Sequence, residues 1–281
     1  MDNRHTMKIS VIISTYNNPA WLEKVMWGYE CQTHKNFEFI IADDGSGQPT
    51  RDLVERFRQQ GTLEIKHVWH PDNGFQKSAI LNKAVAESTT DYLLFSDGDC
   101  IPRKDFVETH VQNAKPGYFL SGGYFKLPME TSKAITREDV VKGNAFAVTW
   151  LRANGLKKTY KELKLVSRGF QQKLLNFLTP TKATWNGHGS SGWKKDIVTV
   201  NGYNEEMQYG GQDRELGERL VNLGLKGKQI RYSAICVHLD HKRGYNTPES
   251  INKNRKIREQ TRYQRKVWTK SGMLNSTVRT A

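Results

Sequence analysis

Short apolar runs alternate with helical patterns along the first hundred residues. The run over residues 8–15 (KISVIIST) is β-branched and nearly continuous, which is typical of a strand buried on both faces of a sheet. Similar runs predict strands at 37–42, 63–69 and 91–95, and helical periodicity predicts helices near 21–30, 50–60 and 78–88. This order predicts an α/β fold with a mostly parallel, doubly wound sheet and right-handed crossovers.

The pattern is weaker further along the chain, where we predict a strand near 118–125, a helix near 213–223 and a strand near 230–239. Residues 162–178 carry one apolar stripe among basic residues, formed by Leu163, Val166, Phe170, Leu174 and Phe177. We favour a surface helix that packs on the core, and the alternative is a helix lying on an anionic membrane. Residues 252–270 are either a second such helix or a solvated tail.

The composition is that of a folded and rather polar protein. Of the 281 residues, 37% are hydrophobic and 26% charged. No apolar window approaches the ~18 residues that a spanning helix needs, and no signal-type segment precedes the first strand, so we expect a cytoplasmic protein. Cys31, Cys100 and Cys236 lack a CxxC spacing, which predicts reduced thiols rather than a disulfide framework or zinc site.

The formal net charge of +14 is concentrated in two segments. Residues 151–186 contain eight basic residues and one acid, and residues 242–281 contain eleven basic residues and two acids. Anionic lipid, an acidic acceptor molecule and nucleic acid are the candidate partners for such segments. No recognised nucleic-acid motif is present, so we expect no nucleic-acid partner.

Polar and acidic residues follow the predicted strands, where ligands of doubly wound sheets bind. Asp43 and Asp44 end one strand, and the DGD sequence of residues 97–99 ends another. Paired carboxylates suit Mg²⁺ or Mn²⁺, which usually also bind the phosphates of a nucleotide. Because neither a Walker-type loop nor a GxGxxG motif is present, we expect a nucleotide held without a phosphate loop.

These motifs, in this order, resemble those of family 2 glycosyltransferases, which have the GT-A fold and invert the anomeric centre. The resemblance rests on SVIISTYN (10–17), ADDGS (42–46), Asn73-Gly74 with Asn82, and SDGD (96–99). It continues through SSGWKKD (190–196), VNGYNEE (200–206) and YGGQDREL (209–216), which are similar to the acceptor half of chondroitin-polymerase-type and β4-galactosyltransferase-type enzymes. Residues 129–185 find no match and are interpreted as a basic helical insertion.

The resemblance implies a role for most of the motif residues. Asp43 would accept a hydrogen bond from uracil, Thr15 and Tyr16 would line the nucleoside pocket, and Asp97 and Asp99 would bind the ribose and, through a cation, the diphosphate. The implied donor-binding set is Thr15, Tyr16, Asn18, Asp43, Asp44, Asn73, Gly74, Lys77, Asn82, Asp97 and Gly98. Asp99 and His238, with His241 as a weaker candidate, would hold Mn²⁺ or Mg²⁺. Lys77 and Arg243 are candidates to neutralise the diphosphate.

Asp213 would be the general base, at the start of a predicted helix whose N-terminus favours the ionised carboxylate. Taken alone, an Asp in this place is more often a helix N-cap. The implied acceptor-binding residues are Trp193, Tyr209, Gly211 and Gln212. Tyr209 and Gln212 depart from the usual WGGED pattern, which leaves the identity of the acceptor sugar open.

The sequence thus predicts a metal-dependent, inverting transferase of a hexose or N-acetylhexosamine from a UDP-sugar to a glycan or glycolipid acceptor. An acidic acceptor, a role in bacterial surface polysaccharide or lipopolysaccharide synthesis, and a peripheral position on the inner face of the membrane fit the charge. Predicted boundaries are a donor part at 1–125, an insertion at 129–185, a catalytic part at 186–245 and a basic helical extension at 246–281. The alternative is a nucleic-acid-binding or membrane-binding protein that uses the basic segments.

Overall fold

A computed structural model describes residues 6–242 and 247–274. Arg243 and the domain boundary predicted between 245 and 246 lie outside the described residues. The strands are β1 (Ile9–Thr15), β2 (Phe37–Asp43), β3 (Ile65–Trp69), β4 (Tyr92–Asp97), β5 (Cys100–Pro102), β6 (Tyr118–Ser121), β7 (Gly123–Lys126), β8 (Ser190–Trp193), β9 (Lys226–Gln229) and β10 (Ile235–His238).

Helices connect and cover these strands. They are α1 (Pro19–Glu30), α2 (Gln48–Gln60), α3 (Lys77–Glu87), α4 (Phe106–Asn113), α5 (Met129–Ala134), α6 (Arg137–Lys142), α7 (Val148–Ala153), α8 (Leu163–Val166), α9 (Gly169–Leu178), α10 (Lys194–Thr199), α11 (Gln212–Asn222) and α12 (Pro248–Tyr263). Within residues 6–242 and 247–274, every helix is too short or too polar to cross a lipid bilayer.

The central sheet has seven strands in the order β3-β2-β1-β4-β8-β6-β9. Strands β3, β2, β1 and β4 are parallel, and β8 runs antiparallel to both β4 and β6. A second sheet has the order β5-β10-β7. The prediction of an α/β fold with a mostly parallel central sheet is therefore confirmed.

Residues of β1 alternate between two hydrophobic layers, one on each face of the sheet. Val11 and Ile13 pack with α1 and α2, whereas Ile12 packs on the opposite face with Ile80 of α3 and Leu216 of α11. Each fully buried aliphatic side chain contributes roughly 1.5–3 kcal/mol through the hydrophobic effect. Burial on both faces fixes the register of β1 against β4, and with it the position of the acidic residues at their ends.

The strand predicted over 118–125 is wrong in one respect, because it is two strands in different sheets. The chain crosses from β6 to β7 at Gly122 and Gly123, whose amides donate to the carbonyl oxygens of Gly189 and Ala234 at 2.6 and 2.8 Å. A Cβ atom on Gly123 would lie 2.1 Å from the carbonyl oxygen of Arg231. Likewise, the strand predicted over 230–239 is confined to β10, and β9 precedes it.

The single helix predicted over 162–178 is also wrong, because it is broken between α8 and α9. Arg168 is extended, with φ −142° and ψ 154°, and Gly169 has a φ of +53°, so the helix cannot continue through them. The predicted packing of the apolar stripe on the core is not found either. No residue of α9 is buried, and Phe170 and Phe177 are 79% and 85% exposed.

Helix α12 at the end of the chain packs on α11 rather than forming a solvated tail. Arg258 forms an ion pair with Glu218 of α11 at 2.6 Å, and Thr261 donates to Glu215 at 3.0 Å. Both members of the Glu215 and Arg219 ion pair within α11 are buried. Helix α11, which carries Asp213, is therefore supported from the sheet side and from α12.

Gly123→Ala tests the crossing between the two sheets. The added methyl group meets the Arg231 backbone, so we expect the free energy of unfolding to fall by about 1–3 kcal/mol, as for other overpacked sites. Denaturant titration measures this change. The matched control is Gly47→Ala, where the nearest atom lies 3.7 Å from the new Cβ, and we expect a change within about 0.5 kcal/mol. Equal losses in both variants would contradict the close packing at Gly123.

Candidate active site

A cavity of about 1120 Å³ opens where the carboxyl ends of β1 and β4 meet. Ser14 of β1 pairs with Asp97 of β4, so the register of these two strands places Asp97 at the cavity wall. The residues that line it include many of the predicted set, namely Thr15, Tyr16, Asn18, Asp44, Gly74, Lys77, Asp97, Gly98, Asp99, Tyr209, Gly211, Gln212, Asp213 and His238. Residues of β1, β4, β10, α3 and α11 thus line one polar cavity.

Two carboxylates and one ammonium group form the centre of the cavity. Lys77 donates to Asp97 Oδ1 at 2.6 Å, and Ser14 donates to the same oxygen at 2.8 Å. A Cβ atom on Gly187 would lie 3.0 Å from Asp97 Oδ2 and 3.2 Å from Asp213 Oδ2, so both carboxylates face the same short backbone segment. Asp213 Oδ1 is buried and has no hydrogen-bond partner among the described residues.

Burial and charge act in opposite directions on these groups. Burial by itself would lower the pKa of Lys77, but the carboxylates of Asp97 and Asp213 raise it well above its usual value. Burial raises the pKa of Asp213; Lys77 opposes this shift, and the Asp97 carboxylate adds to it. Asp213 therefore has a higher proton affinity than an ordinary aspartate, as expected of a carboxylate that accepts a proton during a reaction.

Asp99 lies beside two histidines in a group of residues that fits a divalent cation. The antiparallel pairing of β5 with β10 sets His238 opposite Cys100 and so next to Asp99. Asp99 Oδ2 lies 2.9 Å from His241 Nε2 and 3.7 Å from His238 Nε2. His238 Nδ1 is buried and has no partner among the described residues. A carboxylate with imidazole nitrogens is a donor set that suits Mn²⁺.

Cys100 belongs to the same group but differs chemically. Ligand atoms of Asp99, Cys100 and His238 lie within 4.8 Å of one another. Burial raises the pKa of the Cys100 thiol well above its usual value, so it stays protonated and donates to Asp99 Oδ1 at 3.3 Å. A protonated thiol is a poor metal ligand. The residues that would hold a cation are therefore Asp99 and His238, with His241 in reach.

Near the ends of β1 and β2, the polar side chains of the cavity wall form hydrogen bonds with neighbouring loops. Tyr16 is 47% exposed and donates its hydroxyl to Asp72 at 2.8 Å. Asp44 accepts from the Gln76 amide at 3.0 Å and pairs with His70 at 2.8 Å. These contacts fix Tyr16 and Asp44 at the cavity wall. We call this part, lined by Thr15, Tyr16, Asn18, Asp44 and Gly74, the proximal lobe.

Four of the predicted site residues do not line the cavity. Asp43 is fully buried, where it accepts from the Ser46 amide and pairs with His67, both at 2.8 Å. Asn82 accepts from the Tyr203 amide at 2.7 Å and braces the loop before α11. Trp193 packs edge-on against Tyr92, with ring centroids 5.1 Å apart. Asn73 lies outside the lining residues, beside Gly74.

The loop before α11 is held in place by the C-terminal helix. Gly211 caps α11 with a φ of +94°, and Gln212 accepts from the Gly210 amide at 3.1 Å, so its side chain supports the turn. Asn254 of α12 donates to the carbonyl oxygens of Gln208 and Tyr209 at 2.8 and 3.1 Å. Tyr209 stays at the cavity wall, where its ring contacts Phe75 edge-on at 6.0 Å.

Residues 10–176 match the model of the family described as Glycosyl transferase family 2, which covers more than half of the chain. The chain belongs to glycosyl transferase family 2. It is 27% identical over 242 residues to the chondroitin synthase of Pasteurella multocida, an alignment that covers 77% of this chain and 23% of that protein. The chain spans only 28% and 10% of the length of the first two curated relatives it matches.

Solved glycosyltransferase structures share the fold. The mannosyltransferase PcManGT of Pyrobaculum calidifontis, solved with GDP-Man and Mn²⁺, superposes with a TM-score of 0.57 at 17% identity over 96% of this chain and 64% of that one. S. aureus TarS 1-349, solved with UDP-GlcNAc, gives a TM-score of 0.58 at 17% identity over 89% of this chain and 65% of that one. The predicted family and GT-A fold are thus confirmed.

Sequence reasoning missed the part of the cavity wall that lies beyond Gly187. We call this part, lined by Tyr124, Lys182, Asn186, His188, Gln229 and Arg231, the distal lobe. The one available signal was the basic segment at 151–186, which includes Lys182. Burial lowers the pKa of His188 to about 4, so this imidazole is neutral at pH 7.

Lys77→Met tests the charge balance at the centre of this family 2 site. Without the ammonium group, the Asp97 and Asp213 carboxylates lie next to each other uncompensated, and Asp213, whose pKa burial already raises, costs more free energy to ionise in the folded state. We expect the free energy of unfolding to fall by roughly 3 kcal/mol at pH 7.5. The loss should shrink as the pH falls through the raised pKa of Asp213 and its carboxyl group takes up a proton.

Denaturant titrations between pH 4 and pH 7.5 measure the effect of Lys77→Met. The control is Lys66→Met, because Lys66 pairs with Glu87 on the surface at 3.6 Å and such pairs contribute little. A loss of stability that does not depend on pH would argue against charge balance as its cause.

Proposed function

We propose that the protein is a metal-dependent, inverting glycosyltransferase that moves a hexose or N-acetylhexosamine from a UDP-sugar to a glycan or glycolipid acceptor. The observation that carries the proposal is the convergence of Asp97, Lys77 and Asp213 in one cavity beside the Asp99 and His238 group. Membership in glycosyl transferase family 2 supports the reaction class. The UDP-GlcNAc complex of TarS supports the donor class.

Asp213 acts as the general base in the proposed reaction. Its unpartnered Oδ1 accepts the proton of an acceptor hydroxyl while that oxygen attacks the anomeric carbon. The bond from this carbon to the diphosphate oxygen breaks, and UDP leaves with the electron pair. Because the attack comes from the face opposite the leaving group, one displacement inverts the anomeric configuration. The high proton affinity of Asp213 favours the transfer.

Charge near the leaving diphosphate comes from both the protein and a cation. Asp99 and His238, with His241 in reach, would hold Mn²⁺ or Mg²⁺, which when bound supplies Lewis-acid stabilisation of the diphosphate. Lys77 stays protonated because the adjacent carboxylates raise its pKa. It keeps Asp97 neutralised, so the carboxylate does not repel an incoming phosphate.

The predicted division of the chain is part of this proposal. Residues 1–125 bind the nucleotide through the proximal lobe, and residues 186–245 supply the base and the acceptor loop. The uracil contact predicted for Asp43 requires its hydrogen bond to the Ser46 amide or its pair with His67 to be exchanged. Trp193, packed on Tyr92, gives no support to its predicted acceptor role. Synthesis of bacterial surface polysaccharide or lipopolysaccharide remains the proposed setting.

Asp213→Asn tests the proposed base. A screen of UDP-sugars with Mn²⁺ by thermal shift first identifies the donor, since a ligand that binds the folded state raises the melting temperature. With that donor, we expect the variant to lose about 10²–10⁴-fold in kcat for sugar transfer or hydrolysis, because general-base catalysis contributes that much. Its donor-induced thermal shift should persist. EDTA should abolish wild-type activity, and added Mn²⁺ should restore it.

Asp91→Asn is the matched control, because Asp91 is an exposed aspartate outside the cavity. It should retain wild-type kcat. Transfer by Asp213→Asn within a factor of five of wild type would remove the proposed base. Activity that is unchanged in EDTA would remove the proposed cation.

We further propose that α9 holds the enzyme on an anionic membrane, on the cytoplasmic face. Its exposed apolar residues lie on one side of the helix, and they are Phe170, Leu174, Phe177 and Leu178. Exposed lysines lie in α9 and next to it in the sequence, among them Lys161, Lys173 and Lys182. Apolar groups bordered by lysines match the two layers of an anionic lipid surface, namely acyl chains and charged head groups.

Vesicle sedimentation tests this proposal with a Phe170→Ser, Phe177→Ser double variant. The wild type should bind equimolar phosphatidylcholine and phosphatidylglycerol vesicles more tightly than pure phosphatidylcholine vesicles. Because burial of each Phe side chain contributes roughly 1.5–3 kcal/mol, the variant should bind at least tenfold more weakly. Tyr263→Ser, which removes a 90% exposed aromatic ring from α12, should bind like wild type. Equal binding by all three proteins would contradict the role of α9.

A further inference from the structure

The six residues that define the distal lobe carry positive charge and no carboxylate. They come from β7, from β9 and the turn after it, and from the segment before β8. The Tyr124 ring lies 5.9 Å from the His238 ring, so the lobe adjoins the Asp99 and His238 group. Its six defining residues include Lys182 and Arg231, and none of the six is an aspartate or glutamate. The carboxylates of Asp97 and Asp213 face Gly187, at the border between the two lobes. A ligand in the distal lobe therefore reaches Asp213 from the side away from the proximal lobe.

Three buried polar atoms of the distal lobe have no partner among the described residues. They are the carbonyl oxygens Asn186 Oδ1 and Gln229 Oε1 and the donor nitrogen Arg231 Nε. Buried polar groups in folded proteins nearly always form hydrogen bonds, so such atoms in a cavity wall point to a ligand that completes them. Two acceptors and one cationic donor are complementary to sugar hydroxyl groups next to an anion.

Lys164 lies behind the wall of the distal lobe, on Tyr124, and is not among the residues that line the cavity. Its ammonium group lies 5.4 Å from the ring centroid of Tyr124 and donates to the Tyr124 carbonyl oxygen at 3.0 Å. Burial, followed by repulsion from Arg231 and Lys161, lowers the pKa of Lys164 to about 8. An anion bound beside Arg231 would reduce this repulsion.

The backbone around Arg231 is fixed before any ligand binds. The missing Cβ of Gly123 allows β7 to pack directly on the Arg231 carbonyl group. Asn176 of α9 accepts from the Tyr232 amide at 2.9 Å and donates to Ser233 at 2.8 Å. These contacts fix the point on the cavity wall from which the Arg231 side chain extends.

We infer that the distal lobe binds an acceptor sugar that bears a negatively charged group, a carboxylate or a phosphate, paired with Arg231. This inference rests on the proposed function, because it assigns the acceptor side of the same cavity. Asn186 and Gln229 accept hydrogen bonds from hydroxyl groups of the sugar, and its attacking hydroxyl faces Asp213. An uncharged acceptor is a poorer ligand for the same residues, because it offers no charged partner to the Arg231 guanidinium.

Isothermal titration calorimetry with three matched probes tests the inference. The probes are the 4-nitrophenyl glycosides of a hexuronic acid, of a hexose 6-phosphate and of the neutral hexose, each added to the full chain with UDP and Mn²⁺. We expect one or both anionic probes to bind at least tenfold more tightly than the neutral one. The better of the two anionic probes identifies the charged group as carboxylate or phosphate.

Arg231→Gln should abolish this preference by weakening the anionic probes about 10–100-fold, the range expected for loss of a charged hydrogen bond. The neutral probe should change little, which separates loss of charge from loss of folding. Arg231→Lys should retain part of the preference. Arg255→Gln, on the exposed face of α12, is the matched control and should bind all probes like wild type.

Two results would overturn the inference. One is equal affinity for the three probes, or no binding of any of them, by the wild type. The other is a preference for anions that survives in Arg231→Gln. Hydrolysis of the UDP-sugar by water, measured in the same variants, reports on the proposed function separately. If Arg231→Gln raises the KM for the donor in that assay and leaves probe binding unchanged, these cations serve the donor diphosphate instead.

Discussion

The ion pair of Lys77 with Asp97, next to Asp213, is the interaction on which the cavity depends. The parallel register of β1 and β4 brings Asp97 to the cavity edge, and α11 brings Asp213 to it from a distant part of the sequence. Two partly buried carboxylates that face one glycine repel each other unless a cation lies close to them. Lys77, the first residue of α3, supplies that cation from the protein itself. The close approach of these two carboxylates is therefore compatible with a stable fold.

Much of this arrangement could be predicted from the sequence, because the hydrophobic pattern in the first half of the chain matches the strands and helices that form there. Parallel strands that are buried on both faces appear as continuous apolar runs. The polar residues directly after such a run lie at the edge of the sheet where ligands bind. The end of the apolar run at 91–95 therefore predicts the position of Asp97. Asp213 could be placed by its glycine turn and helix start. Their proximity could not be derived from spacing, and it was expected only because the motifs resemble those of a known family.

The remaining features depend on contacts between segments far apart in sequence. The crossing at Gly122 and Gly123 becomes visible only when Arg231 packs against it, and apolar periodicity cannot distinguish one bent strand from two. The apolar stripe over α8 and α9 has the period of a helix that packs on a core. Phe170 and Phe177 nevertheless remain largely exposed among the described residues. The distal lobe is assembled from β7, β9 and the residues before β8, none of which carries a recognisable motif.

The support that α12 gives to the acceptor loop has a consequence for biosynthesis. Asn254 is fully buried and holds the carbonyl groups of Gln208 and Tyr209, although it follows them by more than forty positions. A nascent polypeptide that still lacks α12 already contains strands β1 to β10, but the loop before α11 is not yet held by Asn254. Under the proposed function, competence for transfer would thus be acquired late in translation, and a shortened clone that ends at residue 245 would stop before that point.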